Sequence, residues 1–215
     1  MNYKTLIPDL QGAIFDFDGT LFDSMYLWDN VANDSLCVLG ITPPSDYRSA
    51  LRNLSVPQAA EYTIKRFELS LSTKEFVALI NSLVEHYYFD EIMPKEGVSE
   101  FLQNLLDNNV KTCIATATDK HLVEAALKRC GLKHFFSEIF TCSMVGVPKD
   151  NPKIFETALA FLKCPKEKTL VFEDSLYALK TAKRAGFKTV GICDNAEKNQ
   201  QELKSTADFY FQSFK

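Results

Sequence analysis

The stretch that decides the fold is Ala13-Ile14-Phe15-Asp16-Phe17-Asp18-Gly19-Thr20-Leu21-Phe22-Asp23-Ser24. An apolar run leads into two carboxylates set two positions apart, so on an extended segment Asp16 and Asp18 leave the same face. Like charges at the end of a buried strand repel each other, and each is costly to bury without a partner. A cation between them resolves both problems. Gly19 permits a sharp exit from the strand, and Thr20 adds a hydroxyl and a backbone donor beside the acids. Without a cation, the same residues read as an acidic turn that merely reverses the chain.

Working outward, the 215 residues suffice for one large domain, or for a core with a modest insert. Hydrophobic content of 46% and charged content of 24% are ordinary globular values. A net charge of −4 and the lack of a basic stripe argue against a nucleic-acid binder, whose phosphate contacts need clustered Lys and Arg. Six scattered cysteines without a C-x-x-C pair suit reduced, mostly buried thiols. Met1–Leu10 lacks a signal-like apolar run, and no stretch is long and apolar enough to span a bilayer. The expectation is a soluble cytoplasmic protein with no membrane partner, a monomer with a dimer as the alternative.

Gln11–Phe17 reads as a buried parallel strand, apolar because both of its faces are covered. From Asp23 to about Met93 the pattern is helical, with breaks at Gly40, Pro43-Pro44 and Pro57. Its clearest helix starts at Ser72, with Glu75 at capping-box spacing and Phe76, Leu79, Ile80, Leu83, Val84 and Tyr87 on one face. Trp28–Leu39 and Val56–Phe67 are the helices that could cover that face. From Pro94 onward helices alternate with short β-rich runs at 111–115, 138–141, 169–172 and 189–193, with Asp208–Phe211 as a last edge strand. The predicted fold is α/β, a doubly wound parallel sheet with a small α-helical cap domain. Residues 1–23 and 94–215 form the Rossmann-like core, and residues 24–93 form the cap.

In such a sheet ligands bind beyond the carboxyl ends of the strands. The informative residues there are Asp16, Asp18, Thr116, Lys149 and Glu173-Asp174. Taken singly, Thr116 reads as a helix cap, Lys149 as a solvated loop lysine and Glu173-Asp174 as an acidic turn. In order they resemble the four motifs of the haloacid dehalogenase-like superfamily. Asp16-Phe-Asp-Gly-Thr20 resembles the first, Thr116 in Cys113-Ile-Ala-Thr-Ala-Thr-Asp119 the second, Lys149 in Val147-Pro-Lys-Asp-Asn-Pro-Lys-Ile-Phe155 the third, and Val171-Phe-Glu-Asp-Ser175 the fourth. Asp150 and Lys153 depart from the third motif, where Pro and Asp are common. The resemblance covers about residues 11–193, and the helical insert resembles the cap this family places between its first two motifs.

The resemblance implies Mg²⁺-dependent chemistry on a small phosphorylated metabolite. Asp16 would be the nucleophile that forms an aspartyl-phosphate, and Asp18 the general acid and base. Gly19, Thr116, Ala117 and Lys149 would meet the phosphate. Asp16, Asp18 (through its backbone carbonyl), Glu173 and Asp174 would form the metal site, and Mg²⁺ suits oxygen donors that bridge to phosphate. Trp28 and Arg52 are candidate substrate contacts, with Arg48 a further arginine nearby. Hydrolysis is the leading expectation. A β-phosphoglucomutase-like transfer to a second sugar hydroxyl is the rival, although Trp28 and a position near Val56 stand where that mutase relies on His and Arg. A non-catalytic regulator on the same fold is the rival of another class.

Overall fold

The structure, a computed structural model, describes residues 7, 9–51, 54 and 56–215. Its centre is a six-stranded, wholly parallel sheet in the order β3-β2-β1-β4-β5-β6. The strands are β1 (Gly12–Phe15), β2 (Lys111–Thr116), β3 (Ile139–Thr141), β4 (Thr169–Glu173), β5 (Lys188–Ile192) and β6 (Phe209–Phe211). Strand β1 lies between β2 and β4, with Ile14 in register with Cys113 on one side and Val171 on the other. Chain order reverses at β1, so the ends of β1 and β4 flank the point where an open sheet leaves a crevice.

Both faces of the sheet are covered, which is why its strands read as unbroken apolar runs. On one face Phe15 and Phe172 stack at 4.3 Å and meet Phe101 of α5 (Val98–Asp107), beside α6 (Lys120–Arg129). On the other, Ile14, Cys113 and Val171 pack on α8 (Lys153–Leu162) and α9 (Leu176–Arg184). Strand β1 is shorter than the predicted Gln11–Phe17. The Phe17 carbonyl accepts the amides of Leu21 and Phe22 and so closes a turn immediately after the first acid.

The insert folds as α1 (Met25–Val38), α2 (Tyr47–Leu51), α3 (Val56–Arg66) and α4 (Thr73–His86), ending in a π-helical turn at Tyr87–Glu91. The predicted capping box is present: the Ser72 hydroxyl accepts the Glu75 amide at 3.2 Å, and the Glu75 carboxylate accepts the Ser72 amide at 2.8 Å. Phe76, Ile80 and Val84 are buried on the resulting face, and α4 packs against α1 and α3. The chain leaves and re-enters the sheet domain side by side. Phe22 pairs antiparallel with Pro94, the Asp23 amide donates to Met93 at 3.0 Å, and the Lys95 amide donates to Leu21 at 2.8 Å.

The cysteine expectation needs a correction. All six thiols are free, but only Cys113 and Cys142 are buried; Cys37 is exposed, and Cys130, Cys164 and Cys193 are half-buried. The latter four lie at helix ends or strand exits, where the covering layer thins. No helix among the described residues is long and apolar enough to cross a membrane.

Candidate active site

The ends of β1 and β4 and the loop that follows β3 bring the acids and the lysine together. The Asp16 amide still pairs with the Phe172 carbonyl at 3.0 Å, so Asp16 is fixed beside the end of β4, where Glu173 and Asp174 follow. Lys149, in the loop after the short helix α7 (Cys142–Val145), reaches the same point. Its ammonium donates to Asp16 and, at 2.5 Å, to Glu173 Oε1. All four side chains are buried.

Oxygens of Asp16, Glu173 and Asp174 all lie within 4.8 Å of one another. One lysine cannot balance this group, and the protonation equilibria show the excess. Burial works against the Lys149 ammonium, but the Asp16 and Glu173 carboxylates outweigh it and hold its pKa above the usual lysine range. Glu173 is nevertheless pushed up by burial, against the pull of Lys149, and Asp174 is likewise pushed up by burial, Asp16 and Glu173. Glu173 Oε2 is buried without a hydrogen-bond partner. An orphaned carboxylate oxygen inside an all-oxygen cluster of excess negative charge fits a hard divalent cation, and these residues could hold one.

Gly19 has a steric role in this arrangement. Its φ is +74°, and a Cβ added there would overlap the Asp174 carboxylate. Its amide donates to the Phe22 carbonyl at 2.9 Å, within the turn that follows β1. Thr20 donates its hydroxyl to Asp174 Oδ1 at 2.8 Å.

Asp18 stands apart from the cation cluster. Three hydroxyls donate to its carboxylate at 2.6 Å each: Ser24 and Tyr88 to Oδ1, Thr118 to Oδ2. Burial and the Asp16 charge raise its pKa, and the three donors partly offset that. Of these partners, Tyr88 reads in sequence as one of several cap aromatics, a packing residue first and a pocket residue facing the acids second. Its ring is indeed fully buried, stacked near Phe17 at 6.1 Å, and its hydroxyl reaches the site as well. Thr116 is buried at the end of β2 and accepts the Thr118 amide at 3.1 Å, with Ala117 half-buried between them.

Residues 13–192 match the family model described as haloacid dehalogenase-like hydrolase, which spans most of the chain. The chain is a haloacid dehalogenase-like hydrolase. Among relatives of this hydrolase, protein CbbY of Cereibacter sphaeroides is 27% identical, over 84% of this chain and 83% of its own length. A phosphorylated carbohydrates phosphatase of Thermotoga maritima is 23% identical over 84% of each. The crystal structure of CbbY from Rhodobacter sphaeroides in complex with phosphate superposes with a TM-score of 0.84 at 23% identity, covering 95% of both chains.

Of the remaining candidates of this haloacid dehalogenase-like hydrolase, the described structure places Trp28 between the insert and the sheet. Trp28 is half-buried and lines a cleft with Val56, Pro57, Val77 and Asn81 from the insert and Ala117, Thr118, Asp119 and Ser143 from the core. Arg52 lies outside the described residues. Arg48 is exposed on α2, and Lys65 and Lys74 are exposed on α3 and α4. Asn81 and Asp119 were not legible as partners: they are 38 positions apart, and although Asp119 closes the motif-like run at 113–119, nothing in that run points to Asn81.

Proposed function

We infer that this hydrolase is a Mg²⁺-dependent phosphatase that acts on a small phosphorylated metabolite through an aspartyl-phosphate. The observation that carries the reading is the division of labour between two acids. Asp16 points at the lysine and the carboxylate cluster, while Asp18 is held away from them by three hydroxyls. A nucleophile and an acid–base catalyst need such different surroundings to do different work from positions two residues apart.

A cation held by Asp16, Glu173 and Asp174, with the Asp18 carbonyl beside them, would supply charge neutralisation between the nucleophile and the phosphoryl group. Asp16 then attacks phosphorus, and the bond to the leaving oxygen breaks as Asp18 delivers its proton to that oxygen. In the second half Asp18 takes a proton from water as the water attacks phosphorus, and Asp16 leaves as carboxylate. Lys149 and Thr116 hold phosphoryl oxygens as charge redistributes, which is the main help that phosphoryl transfer requires. The paired linkers at Asp23 and Met93 are the hinges on which a cap of residues 24–93 would move over a core of residues 1–23 and 94–215.

Purified protein should release phosphate from p-nitrophenyl phosphate only with Mg²⁺ present. Asp16→Asn, which preserves shape, should lower that rate by at least about a thousandfold while the circular dichroism spectrum stays the same. Full activity in that variant would remove Asp16 as the nucleophile.

A further inference from the structure

Asp119 is the N-cap residue of α6, yet its carboxylate makes no capping bond. Aspartate at this position ordinarily accepts an amide of the first helical turn. Here Oδ2 instead accepts the Asn81 side-chain amide of α4 at 2.5 Å, and Oδ1 accepts the Ser143 hydroxyl of α7 at 3.1 Å. Asn81 belongs to the insert, whereas Asp119 and Ser143 lie beyond β2 and β3, so one carboxylate fastens the insert to the sheet domain. The unused local partner stays within reach. By a change of rotamer the carboxylate can cap α6 once the insert moves away, which lowers the cost of letting go.

The cleft under this contact is closed. Trp28, Val56, Pro57, Val77 and Asn81 face Ala117 to Asp119 and Ser143 across about 10 Å³, the room of a single water. Thr118 donates to Asp18 from the same cleft, and Asp18 is itself buried. On the phosphatase reading, the group esterified to phosphate lies on the side of Asp18 that faces the cleft, because Asp18 protonates its oxygen. Even a small ester is far larger than one water. The bond between Asn81 and Asp119 therefore belongs to the empty enzyme and is lost when substrate is in place.

We propose that the Asn81–Asp119 hydrogen bond is an autoinhibitory latch, which holds the insert shut over the empty site and must break before substrate enters. The proposal rests on the phosphatase reading above and adds the control of access to it. A contact made only in a closed, substrate-free form weakens apparent affinity by the fraction of molecules it keeps shut, and a hydrogen bond to a charged acceptor biases that equilibrium roughly tenfold. An ordinary closing contact acts in the opposite sense: it persists over bound substrate, and its loss lowers kcat/KM.

Asn81→Ala removes the donor at a helical position that alanine suits well. Trp28 is the single tryptophan of the chain and lines the cleft, so acrylamide quenching of its fluorescence reports opening in the intact protein without substrate. The variant should show a higher quenching constant with an unchanged circular dichroism spectrum. With Mg²⁺ its kcat/KM for p-nitrophenyl phosphate should rise about tenfold, carried by a fall in KM. Asn81→Asp sets a second negative charge against Asp119 and should move both readouts in the same direction. Quenching equal to that of the natural protein in both variants overturns the latch. Higher quenching with kcat/KM unchanged or lowered overturns its inhibitory role while the phosphatase reading stands. If neither the natural protein nor the variants turn over any ester, the phosphatase reading falls, and quenching alone decides whether this bond holds the insert shut.

Discussion

Asp18 receives three hydroxyl donors, and they come from three parts of the chain: Ser24 where the insert begins, Tyr88 where it ends, and Thr118 beyond β2. On the proposed mechanism, a carboxyl that is protonated in one half-reaction and ionised in the next has to be oriented without being locked in either state. Hydroxyls suit this, because each can donate to the carboxylate or accept from the acid. Tyr88→Phe removes one donor and leaves the buried ring in place. A hydrogen bond to a charged group is worth about 1.5–3 kcal/mol, so kcat should fall roughly ten- to a hundredfold. KM should change little, since Tyr88 is not among the residues lining the cleft. Steady-state kinetics on p-nitrophenyl phosphate separate the two, and a change confined to KM would remove Tyr88 from the positioning of Asp18. The acids themselves were legible because two carboxylates on an apolar strand end violate the ordinary pattern of burial. Their hydroxyl partners were less so: Tyr88 reads as a cap aromatic that could face the acids, but it is 70 positions from Asp18, and an aromatic on a helix looks the same whether its hydroxyl is used or idle.

Among the elements, those whose signals are local match their sequence best. Ser72 and Glu75 announce α4 at their own spacing, and both capping bonds form. Helix α9 shows the opposite case. Ser175 occupies its N-cap but makes no side-chain cap, and Glu197, from the loop after β5, accepts the Leu176 amide at 3.0 Å instead. The edge strand β6 is likewise fastened by contacts distant in sequence. Asp208 accepts the Thr189 amide at 2.9 Å and the Thr189 hydroxyl at 3.0 Å, beside Lys183 and Lys188. Burial works against this carboxylate, but the Thr189 amide and hydroxyl and the two lysines outweigh it and lower its pKa. A lowered folded-state pKa contributes stability above the ordinary carboxylate pKa, and that contribution is lost as pH falls through the lowered value. Asp208→Asn should therefore destabilise the protein at pH 7 by on the order of 1 kcal/mol. The difference from the natural protein should shrink as the pH falls below the ordinary carboxylate pKa and through the lowered value of Asp208. Urea unfolding at pH 7, 5 and 3 measures this, and a pH-independent difference would assign the loss to packing instead.

At the scale of the whole molecule, the sheet buries a net charge that the chain does not neutralise by itself. Asp16, Glu173 and Asp174 are buried in one cluster with Lys149, and Asp18 is buried to one side, so three clustered carboxyl groups share one ammonium among the described residues. Unpaired buried charge costs several kcal/mol, so such a cluster destabilises a protein that holds no cation and is able to hold a divalent one. A ligand that binds only the folded state stabilises it by about 2.7 kcal/mol at one hundred times its dissociation constant. For a chain of this size that corresponds to roughly 5–10 °C in Tm. Mg²⁺ should thus raise the melting temperature above that in EDTA, at ionic strength matched with sodium chloride. Asp174→Asn supplies the decisive comparison. It removes one buried charge and retains an oxygen for the Thr20 hydroxyl, so the variant should melt above the natural protein in EDTA and gain much less from Mg²⁺. A variant that melts lower in EDTA and still responds fully to Mg²⁺ would mean that Asp174 holds the fold together and does not hold the cation.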